Sequence, residues 1–351
     1  MCISHTIPKT YEPLYRAKAI EPQRYPKLSP LHGNRFPGKG NAMEEYQMMK
    51  EQTEGEFEKF ISDLTDTLQT MVGEKASVTS RQVRKNNGVF YSGVMIRERG
   101  QNITPVIYPD REFAMYQKNG DIKAAAESVL KLHRELTPAE PIDPVAFTDI
   151  GKAGSRIVCR VISREKNAAL LKQIPHRDFL DLAIVYYWMT DEEMIYGGTT
   201  LIRNEHLVMW GISEEELDDI AGRNTRRLLP YNFLSMQDVL SAYTGSTIAD
   251  AQMRDFPLYV LSNIEGSYGA WWITDPDVLE HIAGRLKQDF YVLPSSVHEC
   301  VVLPCSKETD EFQLQNMVRE INATQVRPEE VLTDSVYRYS CRSKALSLAA
   351  D

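Results

Sequence analysis

Apolar residues at helical spacing mark the start of the regularly patterned part of the chain. Residues 45–72 carry their large apolar side chains three or four positions apart, which predicts an amphipathic helix that ends at Gly73. The next two segments, 76–85 and 88–97, alternate as strands do, and Asn86-Asn87-Gly88 joins them. Asn-Gly favours a β-hairpin because a type I′ turn needs two residues with positive φ.

Helical patterns return at residues 109–116 and 122–136, and a proline-rich stretch then interrupts the periodicity. We therefore interpret residues 43–137 as a small unit made of a helix, a β-hairpin and two helices. Residues 138–146 are interpreted as a linker.

Residues 147–340 carry a longer series of strand and helix patterns. Strands are predicted at 155–163, 181–189, 199–203, 258–263, 268–274, 290–293 and 297–303. Helices are predicted at 166–173, 213–223, 275–287 and 311–322, and Ser213 with Glu216 has the spacing of a capping box. The fold class is α+β, with a small helix–β-hairpin–helix N-terminal unit and then a larger mixed β-sheet unit with helices packed on it. Residues 341–351 are expected to form a flexible C-terminus.

The first 42 residues differ from the rest in composition. They hold seven Lys/Arg, two Asp/Glu and six prolines without any period, which predicts a disordered basic tail. Met43 follows at once, so one interpretation places the natural start there. The other is a basic arm that contacts an anionic surface.

Charge limits the classes of partner. The whole chain carries a formal charge of −9 although its tail is basic, so the body is strongly acidic. Such a body argues against broad nucleic-acid contact, which needs basic surface, and leaves only the tail for that role. An acidic body is compatible with a protein partner, which we expect to be basic.

Composition is that of an ordinary globular protein, with 42% hydrophobic and 25% charged residues. No stretch has the length and apolarity of a membrane span, and no apolar leader precedes the body, so a cytoplasmic location is expected. The five cysteines are scattered without a CxxC pair, so free thiols are predicted. No spacing indicates a metal or a cofactor.

The densest set of reactive side chains lies within residues 289–304, where Ser295, Ser296, His298 and Glu299 occur together. One hypothesis is a hydrolase or transferase site. The alternative is a tight turn whose hydroxyls bond local backbone, followed by a strand on which His298 and Glu299 point to opposite faces.

Other candidate ligand-binding residues are His176 and Arg177 before the strand at 181–189, Asn204 after the strand at 199–203, and Arg226 with Arg227. The last two follow a predicted helix end and suggest an anion or carboxylate clamp. The alternatives are polar turns and helix-dipole contacts. Trp271-Trp272 is expected in a strand, with one indole on each face.

Five short segments occur in a recognisable order. They are RKNNGV (84–89), NITPVIY (102–108), PHRDFLDLAIVYY (175–187), LPSSVHE (293–299) and TDSVYRY (333–339). Over about residues 45–340 the chain resembles the bacterial family catalogued as domain of unknown function 5688, and residues 181–322 show a weaker similarity to domain of unknown function 1444. The resemblance implies bacterial mobile elements as context and brings no catalytic residues.

The leading expectation is a cytoplasmic, non-catalytic protein-binding or regulatory module associated with bacterial mobile elements. The first alternative is a hydrolase or transferase that uses Ser295, Ser296 and His298. The second is nucleic-acid contact through the basic tail, which would be sensitive to salt.

Overall fold

The computed structural model describes residues 41–102, 104–137, 143–190, 198–244 and 257–349. The expected tail lies outside these ranges up to residue 40, as does the linker over residues 138–142. The N-terminal unit contains α1 (Asn41–Val72), β1 (Ala76–Arg84), β2 (Phe90–Glu98), β3 (Val106–Ile107), α2 (Asp110–Asn119) and α3 (Ile122–Leu136). Its strands form an antiparallel sheet in the order β1-β2-β3.

The apolar stripe of α1 covers one face of this small sheet. Phe60, Leu64 and Leu68 are buried against Val94 and Ile96 of β2. The three-to-four spacing of the helix and the alternation of the strand therefore meet in one core, as the sequence pattern predicts.

The hairpin turn is the one that Asn-Gly predicts. Asn87 and Gly88 have φ values of 57° and 70°, and the Val89 amide donates to the Asn86 carbonyl at 3.3 Å. These are the two positive φ angles and the closing bond of a type I′ turn.

The second unit begins with the helices α4 (Val145–Thr148) and α5 (Ile150–Ala153). A first sheet follows, in the order β4-β6-β5 with β7 also beside β6. The strands of this sheet and the helices that follow them are, in chain order, β4 (Ile157–Ser163), α6 (Ala168–Leu171), β5 (His176–Phe179), β6 (Leu182–Met189), β7 (Thr199–Leu201), α7 (Asn204–Trp210) and α8 (Glu214–Leu228).

A six-stranded sheet completes the second unit, in the order β13-β12-β10-β11-β9-β8. The elements are β8 (Tyr231–Ser235), α9 (Met236–Thr244), β9 (Tyr259–Asn263), α10 (Pro276–Leu286), β10 (Phe290–Pro294), β11 (Cys300–Pro304), α11 (Glu311–Thr324), β12 (Tyr337–Ser340) and β13 (Ala345–Leu348). One large core joins the inner faces of both sheets with α8 and α10.

The α+β class is confirmed, whereas the mixed sheet is not. Every strand pair in the described ranges is antiparallel, and the second unit holds two sheets. Strand periodicity reports which faces are buried and says nothing about strand direction, so this detail needed the long-range pairing.

The expected strand at 268–274 is wrong. Tyr268 has a φ of 57°, and Gly269–Thr274 form a 3₁₀ helix that buries both Trp271 and Trp272. The turn passes so close to β9 that a Cβ on Gly269 would lie 2.4 Å from the Asn263 nitrogen. Close approach of backbone, rather than alternation, decides this segment.

Two further boundaries differ from expectation. The segment taken as a flexible C-terminus contains β13, which pairs with β12 after a turn in which Lys344 has a φ of 53°. The strand expected at 297–303 begins only at Cys300, because Ser296 and Glu299 close a turn through their backbone atoms at 3.1 Å.

A single carboxylate connects the first sheet to β12. Asp181 lies in the turn between β5 and β6, and it accepts hydrogen bonds from the hydroxyls of Thr333, Ser335 at 2.9 Å and Tyr337 at 2.5 Å. Alternate residues of an extended segment point to one side, so the spacing 333, 335 and 337 brings all three hydroxyls to one carboxylate. We call Asp181 and these three residues the hydroxyl cluster.

The hairpin tip of the N-terminal unit binds the second unit. The Asn87 side-chain amide donates to the carbonyls of Pro328 and Val331 at 2.8 and 2.7 Å. Asn167 donates to Asn87 Oδ1 and accepts from its backbone amide, both at 2.9 Å. The left-handed residue of the turn therefore also forms the contact between the units.

Replacing Asp181 by alanine should lower the free energy of unfolding by about 3 kcal/mol, because three hydroxyls lose a charged acceptor. Urea unfolding followed by circular dichroism measures this. Asp178→Ala is the control, since Asp178 and its partner Arg164 are both exposed and their pair should contribute less than about 1 kcal/mol. Equal losses for the two variants would contradict the role assigned to the cluster.

Asn87→Gly and Asn87→Ala separate the two roles of the hairpin tip. Glycine keeps the positive φ and removes the side-chain bonds, which should cost about 1–3 kcal/mol. Alanine should cost about 1 kcal/mol more because it also strains the left-handed backbone. Thermal unfolding compares the two, and equal stability of both variants and wild type would show that the tip contributes no contact energy.

Candidate functional site

A charged groove of about 470 Å³ lies in the second unit. Its walls come from β5, from α8, from the segment that leads into α10 and from the start of β13. The apolar lining residues are Phe179, Trp271, Ile273, Leu279 and Leu346, of which Phe179 and Leu346 are partly exposed. A concave site with an apolar lining and a few converging charges is the usual form of a ligand site.

Arg177 reaches the groove from β5 and is held on one side. Its Nε lies 3.0 Å from Oδ2 of Asp218 on α8, and half of its side chain is exposed. The other oxygen of Asp218 accepts from the Tyr186 hydroxyl at 2.9 Å. Because Tyr186 is buried in the core, the Asp218 carboxylate has a rigid support, and Arg177 forms an ion pair with that carboxylate.

Arg226 reaches the same groove from the last turn of α8. Its Nε donates to Asp275 Oδ2 at 2.7 Å, and the Asp275 side chain is only 1% exposed. Oδ1 of Asp275 caps α10 by accepting from the amides of Asp277 and Val278 at 3.0 and 3.3 Å. The buried aspartate thus holds the arginine and starts the helix.

The two arginines share one feature. Both are held through Nε, and their terminal nitrogens make no hydrogen bond to any residue within the described ranges. A guanidinium oriented in this way can offer two parallel N–H donors to a carboxylate or phosphate.

The remaining charges partly balance one another. Arg223 lines the groove and has no ion-pair or hydrogen-bond partner in the part of the chain that is described, while Lys344 pairs with Glu280 at 2.5 Å. Asp219 is the opposing carboxylate on the rim, and it is exposed. An anion in the groove would therefore meet Arg177, Arg223 and Arg226.

The groove is better equipped to bind than to react. The described residues that line it include no histidine, cysteine or serine, and Thr274 is their one hydroxyl. Asp218 is occupied by Arg177 and Tyr186. Nucleophilic or acid–base catalysis needs such groups within hydrogen-bond reach of each other, and this lining does not supply them.

The segment with Ser295, Ser296, His298 and Glu299 does not line the groove. Ser296 Oγ accepts from the His298 amide at 3.0 Å, which is a local turn contact. Glu299 is exposed, and Ser295 is half-buried beside it.

Both ring nitrogens of His298 have partners. Nδ1 accepts from the Tyr268 amide at 3.1 Å, so Nε2 carries the proton and faces Glu330 Oε1 at 3.3 Å. An imidazole bound on both sides holds a turn in place. It is poorly placed to take a proton from Ser296.

The other predicted ligand residues separate. Arg177 and Arg226 meet in the groove, and Arg227 instead donates to the Ser155 carbonyl at 2.7 Å. His176 Nδ1 lies 3.1 Å from the Ile174 carbonyl, and Asn204 is exposed at the first residue of α7. Neither of these two lines the groove.

Sequence reasoning missed the aspartates that orient the arginines. Asp218 lies on α8, and no local pattern indicates its ion pair with Arg177 on β5. The sequence indicates Asp275 only as a helix start, and nothing local indicates its bond to Arg226 across 49 positions.

A second polar cluster lies at the junction of the units. The Lys85 ammonium sits 4.3 Å from the centre of the Tyr108 ring, and the Tyr91 hydroxyl donates to Glu329 Oε1 at 2.7 Å. Burial lowers the pKa of Lys85 to about 8, and the Glu329 carboxylate opposes part of that shift. Burial also raises the pKa of Tyr108.

None of the helices in the described ranges combines the length and apolarity that crossing a bilayer requires. Within the same residues, no group of three or more histidine, cysteine, aspartate or glutamate side chains could hold a metal ion.

The sequence model of a family of unknown function (DUF5688) matches residues 57–341. The chain belongs to this family. No curated protein and no solved structure matches it. The match to DUF5688 spans the N-terminal hairpin, the hydroxyl cluster and all of the groove except the wall formed by β13 and Lys344.

Lys85→Met should change how stability depends on pH. Folded Lys85 loses its proton near pH 8, whereas an unfolded lysine keeps it to about 10.5. Between these values the unfolded state binds more protons, so wild type should gain about 2 kcal/mol of unfolding free energy relative to the variant from pH 8 to 10.

Urea unfolding at several pH values measures this difference. Lys75→Met, at an exposed position, is the control and should show a constant offset from wild type. A constant offset for Lys85→Met as well would contradict the lowered pKa.

Proposed function

We propose that this protein is a non-catalytic binding module that takes an anionic group of a partner in the groove between β5, α8 and β13. One observation carries the proposal. Arg177 and Arg226 each pair through Nε with an aspartate, and both arginines line the same groove. Orientation before binding removes much of the entropy cost of a flexible side chain.

The apolar lining adds a second requirement on the ligand. Phe179 and Leu346 are partly exposed and offer apolar surface in the same groove as the guanidinium groups. A ligand with an acidic group beside apolar side chains satisfies both, as a segment of protein does. Each charged bond contributes about 1.5–3 kcal/mol in such a setting, so a short acidic ligand should bind with a Kd on the order of 0.1–1 mM.

The charge of the bound segment differs from the basic charge that the acidic body leads us to expect of a partner. An acidic body suggests a basic partner overall, whereas this groove presents arginines, so the bound segment is acidic even where the rest of the partner is not. The cytoplasmic location and the association with mobile elements stay predictions. Nucleic-acid contact also stays a prediction, since it concerns residues up to 42.

The alternative of a hydrolase or transferase at Ser295, Ser296 and His298 stays a hypothesis. The contacts of His298 argue against it, because both imidazole nitrogens are engaged with Tyr268 and Glu330. Activity screening of wild type and His298→Ala would decide it.

Arginine substitutions test the proposed groove. Nuclear magnetic resonance can follow the arginine Nε–H signals during titration with the capped dipeptide Ac-Glu-Glu-NH₂. Arg177→Gln and Arg226→Gln should each weaken binding about tenfold, because each removes one charged fork. Arg319→Gln, at an exposed position of α11 outside the groove, should bind like wild type.

Thermal unfolding of each variant serves as the folding control, since Arg226→Gln leaves Asp275 without its cation. Unchanged affinity in the Arg177→Gln, Arg226→Gln double variant would rule out the groove as the site.

A further inference from the structure

β13 ends the six-stranded sheet beside the groove. It pairs with β12 from Tyr337↔Leu348 to Ser340↔Ala345, and no strand within the described ranges pairs with its other side. Lys344, Ala345 and Leu346 form one wall of the groove. The free edge of β13 therefore lies at the same groove as Arg177 and Arg226.

The register shows which backbone groups of β13 are free. The Ala349 amide donates to the Val336 carbonyl at 2.8 Å, so position 349 faces β12. Alternate residues of an antiparallel strand face the same neighbour, so Ala345 and Ser347 also bond toward β12. The amides and carbonyls of Leu346 and Leu348 consequently point away from the sheet.

This edge has no protection apart from its short length. Edge strands are normally blunted by shortness, charges, proline or a bulge, because unpaired backbone recruits another strand. β13 reads Ala-Leu-Ser-Leu, with no charge and no proline, and its pairing with β12 is regular. Leu348 is also 37% exposed, so apolar surface accompanies the free backbone groups.

Building on the proposed function, we propose that an extended acidic segment of a partner protein adds as a strand to the outer edge of β13. Its backbone pairs with Leu346 and Leu348, and an acidic side chain reaches Arg177 and Arg226. Strand addition of this kind takes affinity from main-chain bonds and specificity from alternate side chains. A small anion cannot use the edge, and a basic segment would be repelled by the arginines.

Leu348→Pro and Leu348→Ala form a matched pair. Both shorten an exposed side chain, and only proline removes the outward amide while leaving the bonds of positions 347 and 349 to β12 in place. The probes are a capped seven-residue peptide of alternating valine and glutamate, and the dipeptide Ac-Glu-Glu-NH₂. Calorimetry or magnetic resonance gives the affinities.

Wild type and Leu348→Ala should bind the long peptide at least tenfold more tightly than the dipeptide. Leu348→Pro should lose most of that advantage and bind the dipeptide unchanged. Hydrogen exchange provides a second measurement without any variant, since the long peptide should protect the amides of Leu346 and Leu348.

The outcomes separate the two proposals. Equal affinity for both peptides, or no protection of these amides, overturns strand addition and leaves the groove intact. Loss of the long peptide from Leu348→Ala as well shows that the side chain, and not the edge, is recognised. If neither peptide binds wild type, both proposals fall.

Discussion

The second unit depends on how one carboxylate gathers three hydroxyls. Asp181 sits at the end of β5, and its partners Thr333, Ser335 and Tyr337 lead into β12. β5 carries Arg177 into the groove, and β12 carries β13, the opposite wall. The cluster therefore connects the segments that carry two of the groove walls. The geometry of a groove between two sheets depends on the hydrogen bonds that hold the sheets together.

Arg226 is also held by a carboxylate that has a second structural role. Asp275 is almost completely buried and satisfies its oxygens with a helix start on one side and Arg226 on the other. A buried carboxylate without such partners would be strongly unfavourable. The amides of α10 and the guanidinium of Arg226 together stabilise the charge of Asp275. Moving the helix start would also move the arginine.

Elements that depend on contacts between residues close in sequence could be predicted. The Asn87-Gly88 turn and the Ser213–Glu216 capping box depend on residues within four positions of each other, and both are present. Arg177 and Arg226 could be singled out as exposed cations near element ends.

The elements that could not be predicted depend on contacts between residues distant in sequence. Alternating residues over 268–274 look like a strand, yet the approach of Gly269 to β9 imposes a 3₁₀ helix. β13 is too short for its period to be recognised, and it exists because β12 gives it a partner. The pairing of Arg226 with Asp275 needed the folded chain.

The hairpin contact has a consequence for the order of events during synthesis. Asn86 donates to the Glu329 carbonyl, a partner 243 positions later in the chain. At a synthesis rate of roughly 5–20 residues per second, the finished hairpin waits about 10–50 s before that carbonyl emerges. The N-terminal unit, whose core is local, can fold within that time. Asn167 can already bond to the hairpin tip by then, but the tip's bonds to residues 328–331 form only after the last described helix has been made. Completing the contact between the two units is therefore a late step, because it needs residues 328–331.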